Sequence, residues 1–417
     1  MKKNIFILLT TLLLVVSIFP LKINAIENPK LRPNNIFGIH ILDEIDLDDA
    51  AVLINSTGGD WGYVTLVIRK DERNKERWQK VFDKMRKLHL IPIVRIATRQ
   101  VNSHWEKPNF NEIDGWVSFL GSLNWVIKNR YVIIGNEPNH ATEWGNELNP
   151  EEYANYLYQF SEKLKNESQN YFVLQAGFDA SAPTDNEHLG ETEYIKRMLG
   201  YKNDVFKYVD GWSSHSYPNP DFSGSESERG RGTVATFEWE LELLKSLGIE
   251  KELPVFITET GWAHSKYDKV LAYKNPDTIS KSLKYAFKNV WNDERIIAVT
   301  PFVLNYKEPP FDIFSWRKRD GGFYNFYYDI QRLPKTAGRP LQEVKARILS
   351  FIIPPAFKRH EKFYGLVFVK NEGQSIWKWG EFVNPFDGGV DIQYIPLLFF
   401  FNGEPGQRAL AIIRVGK

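Results

Sequence analysis

The 417-residue chain contains no cysteine. No disulfide braces it, and neither thiolate catalysis nor a thiolate metal site is open to it. Excess charge is lacking too: 53 basic residues against 52 acidic ones leave a formal net charge of +1. That balance argues against a partner held by bulk charge, so neither nucleic acid nor an anionic membrane surface is expected. No glycine-rich phosphate loop follows the first apolar run, which counts against a nucleotide site. There is no internal repeat and no low-complexity linker. Away from the N-terminus the most apolar run, residues 397–401, is far too short to cross a bilayer.

What is present begins with an export signal. Lys2 and Lys3 precede a nearly unbroken apolar run over residues 5–19, and Ile23-Asn24-Ala25 offers a small-residue cleavage site. Residues 1–25 are therefore read as a signal peptide and the protein as secreted or extracytoplasmic, with an uncleaved N-terminal anchor as the alternative. A cysteine-free exported chain has to be stabilised by its core. The composition, 43% hydrophobic and 25% charged, permits that. The 13 Trp and 19 Tyr are suited to stacking on the apolar faces of sugar rings, but they equally fill cores.

Short β-rich apolar runs then alternate with longer helical stretches. The runs fall at residues 36–41, 61–68, 91–97, 131–134, 172–178, 209–214, 254–258 and 296–304. Helical patterning is strongest over 74–88 and over 150–165, where Asn149 is placed to cap. Parallel neighbours need a crossover, so the alternation predicts an α/β fold, and eight runs favour a (β/α)8 TIM barrel over an open sheet. The barrel is expected over residues 29–352, its last helix over 340–351. Residues 353–417, with β-like runs at 365–369, 392–395 and 409–415 between Gly, Asn and Pro turns, are expected to form a small C-terminal β appendage.

Chemistry in such a barrel stands at the C-terminal ends of the strands. The fourth run ends in Ile134-Gly135-Asn136-Glu137-Pro138-Asn139 and the seventh in Ile257-Thr258-Glu259-Thr260-Gly261-Trp262. Each sets one glutamate directly after an apolar strand, where a charge gains nothing as core. Two carboxyl groups facing each other across a barrel mouth suit hydrolysis of a glycosidic bond with retention. One must be protonated to release the leaving sugar, the other ionised to attack the anomeric carbon, at a separation of roughly 5–5.5 Å.

Asn-Glu-Pro after the fourth strand and Thr-Glu-Thr-Gly-Trp after the seventh resemble glycoside hydrolase clan A, the retaining (β/α)8 group with cellulase-, mannanase-, β-xylosidase- and β-1,3-glucanase-like families. The resemblance covers residues 35–350. It implies that Glu137 is the acid/base and Glu259 the nucleophile, an order that spacing alone leaves open. It further implies that Asn136 contacts the 2-hydroxyl of the reacting sugar, and that His215 and Tyr217 line the site, Tyr217 donating to the nucleophile. Trp316 and Trp262 are the candidate sugar platforms, with His140 and Trp144 as outer contacts. A cation beside Glu259 is expected to lower its pKa: Arg69 is the better placed by position, while Arg95 reads as an internal ion-pair partner. His40 is a further candidate for a sugar hydroxyl, and His89 reads as structural. The implied partner is an oligo- or polysaccharide, the enzyme a monomer without cofactor or metal. Transglycosylation on the same residues, a barrel that only binds polysaccharide, and an adhesive surface protein are the competing readings.

Overall fold

The structure is a computed structural model that describes residues 26–264, 273–352, 363–377, 398–399 and 404–415. The expected signal peptide and the run at 392–395 lie outside the described residues. No described helix is long and apolar enough to cross a membrane.

Eight parallel strands alternate with eight helices among the described residues. The strands are β1 (Gly38–Ile41), β2 (Gly62–Arg69), β3 (Leu90–Ala97), β4 (Arg130–Ile134), β5 (Tyr171–Gln175), β6 (Trp212–His215), β7 (Val255–Glu259) and β8 (Ile296–Val299). The helices are α1 (Leu47–Ile54), α2 (Lys75–Lys87), α3 (Ile113–Gly121), α4 (Pro150–Glu167), α5 (Glu191–Tyr201), α6 (Thr236–Ser246), α7 (Pro276–Asn289) and α8 (Asn325–Gln331). β1 to β5 form one parallel sheet and β6 to β8 another. Isolated bridges join them at two seams, Leu174 with Gly211 and Phe37 with Val299. The second seam is reinforced where His40 N–H donates to Pro301 O at 3.0 Å and Leu304 N–H to His40 O at 2.9 Å. The ring is thus complete in order, with two seams thinner than its ladders.

Local chemistry explains the helices. Asn74, Asn149 and Asn275 accept from the backbone N–H three residues on, at 2.8, 3.0 and 2.9 Å, and cap α2, α4 and α7. Pro150 and Pro276 follow two of these caps, at the one helical position where a missing N–H costs nothing. α2 buries Trp78, Val81, Phe82 and Met85, the spacing of a single helical face turned to the sheet.

The barrel interior is layered. Tyr63, Tyr131, Phe172 and Phe256, each the second residue of its strand, pack with ring centroids 5.0–6.4 Å apart and plug the N-terminal end. Above them stands a hydroxyl layer, with Thr65 to Thr300 at 2.8 Å and Ser213 to Thr258 at 2.6 Å. Buried hydroxyls are tolerable only when paired, and these pair with each other. The charged groups stand above that layer, at the C-terminal mouth.

The C-terminal end departs from expectation. Residues 346–352, read from sequence as part of a last helix, form β9 (Ala346–Ile352) instead. That strand pairs antiparallel with β10 (Phe363–Asn371), which pairs with β12 (Arg408–Val415); β11 (Leu398–Phe399) completes the sheet. The run Ala346 to Ile352 is largely apolar with β-branched Ile348 and Ile352, and cross-strand partners outweigh a weak helical period. The sheet docks on the barrel through Gln374 to Ile127 O and Asn124 to Gly373 O, at 2.8 and 2.9 Å.

Two carboxyl groups are buried between α5 and α6. Glu191 and Glu240 are fully enclosed, and their oxygens make no hydrogen bond within normal geometry. Burial, reinforced by the facing Glu240, pushes Glu191 well above the usual carboxylate range; burial pushes Glu240 up to about 7. The folded state therefore retains protons that an unfolded chain gives up above its ordinary carboxylate pKa. Stability from this pair is full at low pH and falls as pH rises from about 4.5 through 7. Glu240→Gln should remove Glu240's share of that decline and leave the part due to buried Glu191, making the variant more stable than wild type by about 1–3 kcal/mol at pH 8 and no more stable at pH 5, as read by denaturant unfolding.

Candidate active site

The mouth of the barrel is organised around one guanidinium. Arg95, near the end of β3, donates through Nη1 to Glu259 Oε1 and to Asn136 Oδ1, both at 2.5 Å. Tyr217 O–H donates to the other oxygen of Glu259 at 3.0 Å. His40 Nε2 lies 3.8 Å from Glu259 Oε1, and His215 Nδ1 lies 4.0 Å from Oε2. Burial alone would raise the Glu259 carboxyl, but His215, Arg95, His40 and the Tyr217 hydroxyl outweigh it and hold Glu259 down to about 2. Glu259 is thus buried yet ionised.

Glu137 stands opposite. Its Oε1 lies 2.7 Å from His215 Nδ1, and one atom each of Glu137, His215 and Glu259 lie within 4.8 Å of one another. Burial lowers His215, but the charges of Glu259 and Glu137 more than reverse this and its pKa is raised. The raised His215 is thus disposed to donate through Nδ1 to Glu137 Oε1. His40 behaves oppositely: burial and the charge on Arg95 push it down to about 3, so it stays neutral.

Backbone geometry aims these groups. Glu137 has φ +29°, a region that costs about 1–3 kcal/mol for a non-glycine residue. It is held there by its own N–H donating to Gly177 O at 3.0 Å and by its carbonyl accepting from His140 N–H at 2.9 Å. A Cβ on Gly177 would lie 2.2 Å from the His215 ring, so only glycine leaves room for that imidazole. The β6–β7 register shifts between Ser214 and His215, which pair with Ile257 and Glu259. Such irregularities re-aim side chains beside active sites.

Two carboxylates and an imidazole are also a metal-ligand set. Here both oxygens of Glu259 already accept from Arg95 and Tyr217, and the Arg95 guanidinium occupies the place a cation would need. The donor set fits an acid–base pair better than a metal.

The structure brings together Glu137, Glu259, Asn136, His215, Tyr217 and His40, the last fully buried. Arg69 is not among them; its side chain is 43% exposed and pairs with Glu72 at 2.9 Å, while Arg95 is the cation paired with Glu259. Alternation does not separate them, since Val67 pairs with Arg95 and Arg69 with Ala97; Arg69 stands one step further along β2, at its last residue, and turns to Glu72. Trp262 and Trp316 are each only 3% exposed. Trp262 Nε1–H donates to Gly224 O and Trp316 packs edge-on against Phe326, so both rings are turned into the protein. Phe302, after β8, stands nearer, edge-on to His40 at 5.1 Å. His140 pairs with Asp179 at 2.9 Å, and buried Trp144 donates to Glu152 at 3.0 Å. His89 pairs with Asp60 at 2.8 Å, far from the mouth. Sequence reasoning missed Phe302.

No protein-family model and no curated protein matches the sequence. Solved structures similar to it include a family 39 glycoside hydrolase from Bacteroides cellulosilyticus WH2, at 12% identity over 93% of this chain and 82% of that one, TM-score 0.48. A β-mannanase from Thermomonospora fusca is 15% identical over 72% and 91%, TM-score 0.46. An endo-β-1,4-glucanase from Xanthomonas axonopodis pv. citri is 12% identical over 71% and 98%, TM-score 0.45. Likeness at this level transfers no activity, and the chemistry rests on the site.

Because Glu259 is depressed, its contribution to stability is present above the ordinary carboxylate pKa and is lost as pH falls from about 4.5 to 2. Arg95→Met removes the principal hydrogen-bonding cation from this buried charge. It should cost about 3–5 kcal/mol at pH 7, with the deficit shrinking as pH falls below 4.5, as measured by unfolding at a series of pH values.

Proposed function

We propose that the protein is a retaining glycoside hydrolase acting on β-linked oligo- or polysaccharide, with Glu259 as nucleophile and Glu137 as acid/base. The observation that carries this reading is the pair of carboxyl groups within 4.8 Å, one ionised and cation-bound, the other 2.7 Å from an imidazole nitrogen. An inverting mechanism needs roughly 6.5–9.5 Å between them to admit a water, whereas attack by one carboxylate needs roughly 5–5.5 Å.

In this reading the ionised Glu259 attacks the anomeric carbon while Glu137 passes its proton to the departing oxygen. Charge is then lost from Glu259 as the glycosyl ester forms. Glu137, a carboxylate after giving up its proton, takes a proton from the incoming water, which attacks the ester, releases the sugar and restores both groups. Arg95 and Tyr217 hold Glu259 in one rotamer for attack, and Asn136 meets the 2-hydroxyl. Phe302, Tyr306 and Phe311, which pack together at the mouth, supply apolar surface for the sugar ring. The signal read at residues 1–25 belongs to the same proposal, since a secreted enzyme meets its polymer outside the cell.

Purified protein should hydrolyse at least one member of a panel of β-linked polysaccharides and 2,4-dinitrophenyl β-glycosides. Glu137→Gln and Glu259→Gln should each lower kcat/KM on the polysaccharide by roughly 10³-fold or more. Azide should restore turnover of the activated aryl glycoside, as a glycosyl azide of retained configuration, in Glu137→Gln alone. A wild type that binds glycans as tightly as both variants and cleaves none would leave only a binding protein.

A further inference from the structure

The segment between β8 and α8, residues 300–324, carries a row of aromatic rings that leads outward from Glu259. Phe302 is the innermost. It is 7% exposed and lies edge-on to His40 at 5.1 Å, and His40 Nε2 lies 3.8 Å from Glu259 Oε1. Phe311 comes next, its ring centroid 5.5 Å from that of Phe302 and its plane nearly perpendicular. Half-buried Tyr306 stands against Phe311 at 5.8 Å. Exposure rises along the row, and Phe311, at the start of the 3-10 turn Phe311–Phe314, is 44% exposed.

Position sets this side chain apart. Five aromatic side chains are exposed among the described residues. Tyr201, Tyr285 and Tyr328 lie on helices α5, α7 and α8, and Phe368 lies on β10 of the C-terminal sheet. Phe311 alone stands on a loop after a barrel strand, where ring contacts connect it to the site. The loop is also tied down. Asn305 Nδ2 donates to Oδ1 of buried Asp46 at 3.1 Å, Tyr306 N–H to Ser315 Oγ at 3.0 Å, and Asp312 N–H to Glu308 O at 3.1 Å. A surface fixed before binding loses little freedom when a ligand settles on it.

The row has a direction relative to the chemistry. Glu259 presents Oε1 to Arg95 and His40, and Oε2 to Tyr217 and His215. Glu137 lies on the Oε2 side, 2.7 Å from His215 Nδ1, whereas Phe302 lies on the Oε1 side, against His40. The departing oxygen has to meet Glu137, so the leaving sugar stands on the Oε2 side. The part of the chain that Glu259 retains then extends on the Oε1 side, along Phe302 and Phe311.

We infer that Phe311 is the platform of a second sugar position, stacking on the unit next to the reacting sugar on the side that Glu259 retains. The inference rests on the glycosidase reading and narrows its substrate. The enzyme acts on a β-linked chain with at least two sugars on that side of the cleaved bond, because removal of a single terminal sugar would leave Phe311 bare. Phe302 meets the reacting ring, and the exposed face of Phe311 meets the apolar C–H face of its neighbour.

The test uses glucose, mannose, xylose or galactose, whichever the wild type releases from a β-linked polysaccharide, as the 2,4-dinitrophenyl β-monoside and the β-linked bioside. The quantity read is the ratio of kcat/KM for bioside over monoside. Wild type should favour the bioside by roughly 10-fold or more, and Phe311→Ala should bring the ratio down to about 1, the scale set by covering one aromatic ring. Phe311→Leu, which keeps apolar bulk without a ring face, should behave as Phe311→Ala does. Phe311→Trp keeps a face and should hold the ratio within about threefold of wild type. A ratio unchanged in Phe311→Ala and Phe311→Leu would overturn the inference and leave the glycosidase reading intact. So would a wild type that prefers the monoside, or one that cleaves the polysaccharide and no bioside. Absence of wild-type turnover on polysaccharide and aryl glycosides alike would overturn the glycosidase reading and this inference with it.

Discussion

One buried cation sets the arrangement of the barrel mouth. Arg95 is enclosed among carboxyl and amide groups, and its Nη1 bridges Glu259 and Asn136. An ionised carboxylate as enclosed as Glu259 is strongly unfavourable without an opposite charge in contact. Once that contact exists, much of the mouth follows from it: the rotamer of Glu259, the flip of the Asn136 amide and the neutrality of His40. Its two bonded neighbours also lie on different strands, so the contact ties β3 to β4 and β7 across the opening.

Around this contact the two carboxyl groups at the mouth have different partners. Glu259 is bonded by a guanidinium and a phenol and faces the raised His215 imidazole, all of which favour its charge. Glu137 lies 2.7 Å from His215 Nδ1 and sits on strained backbone at φ +29°. Strain of this kind persists only where the surroundings over-determine it, and here the Gly177 carbonyl, Pro138 and the His140 N–H do so. The hydroxyl layer and the aromatic plug beneath supply the rigid floor on which sub-ångström placement depends.

Much of this was legible along the chain. The eight apolar runs correspond to the eight strands because a parallel strand buried on both faces needs a continuous apolar run. The Asn149-Pro150 cap was readable because capping is local. Glu137 and Glu259 stood out because a glutamate at the end of such a run has no packing reason to be there. The C-terminal residues 340–351 misled, since a short apolar stretch carries no period strong enough to separate helix from strand. Trp262 and Trp316 were read as platforms on position alone, whereas their rings point inward.

What the sequence by itself determined is therefore the order of elements and the identity of the residues at the strand ends, both consequences of interactions between near neighbours in the chain. Which cation meets Glu259 and which imidazole lies against Glu137 were decided only when the strands packed into a ring. Arg95 and Glu259 lie 164 residues apart and Glu137 and His215 lie 78 apart. Pairings at such separations depend on which face of each strand turns inward and on the β6–β7 register shift, and both are settled only when all eight strands pack together.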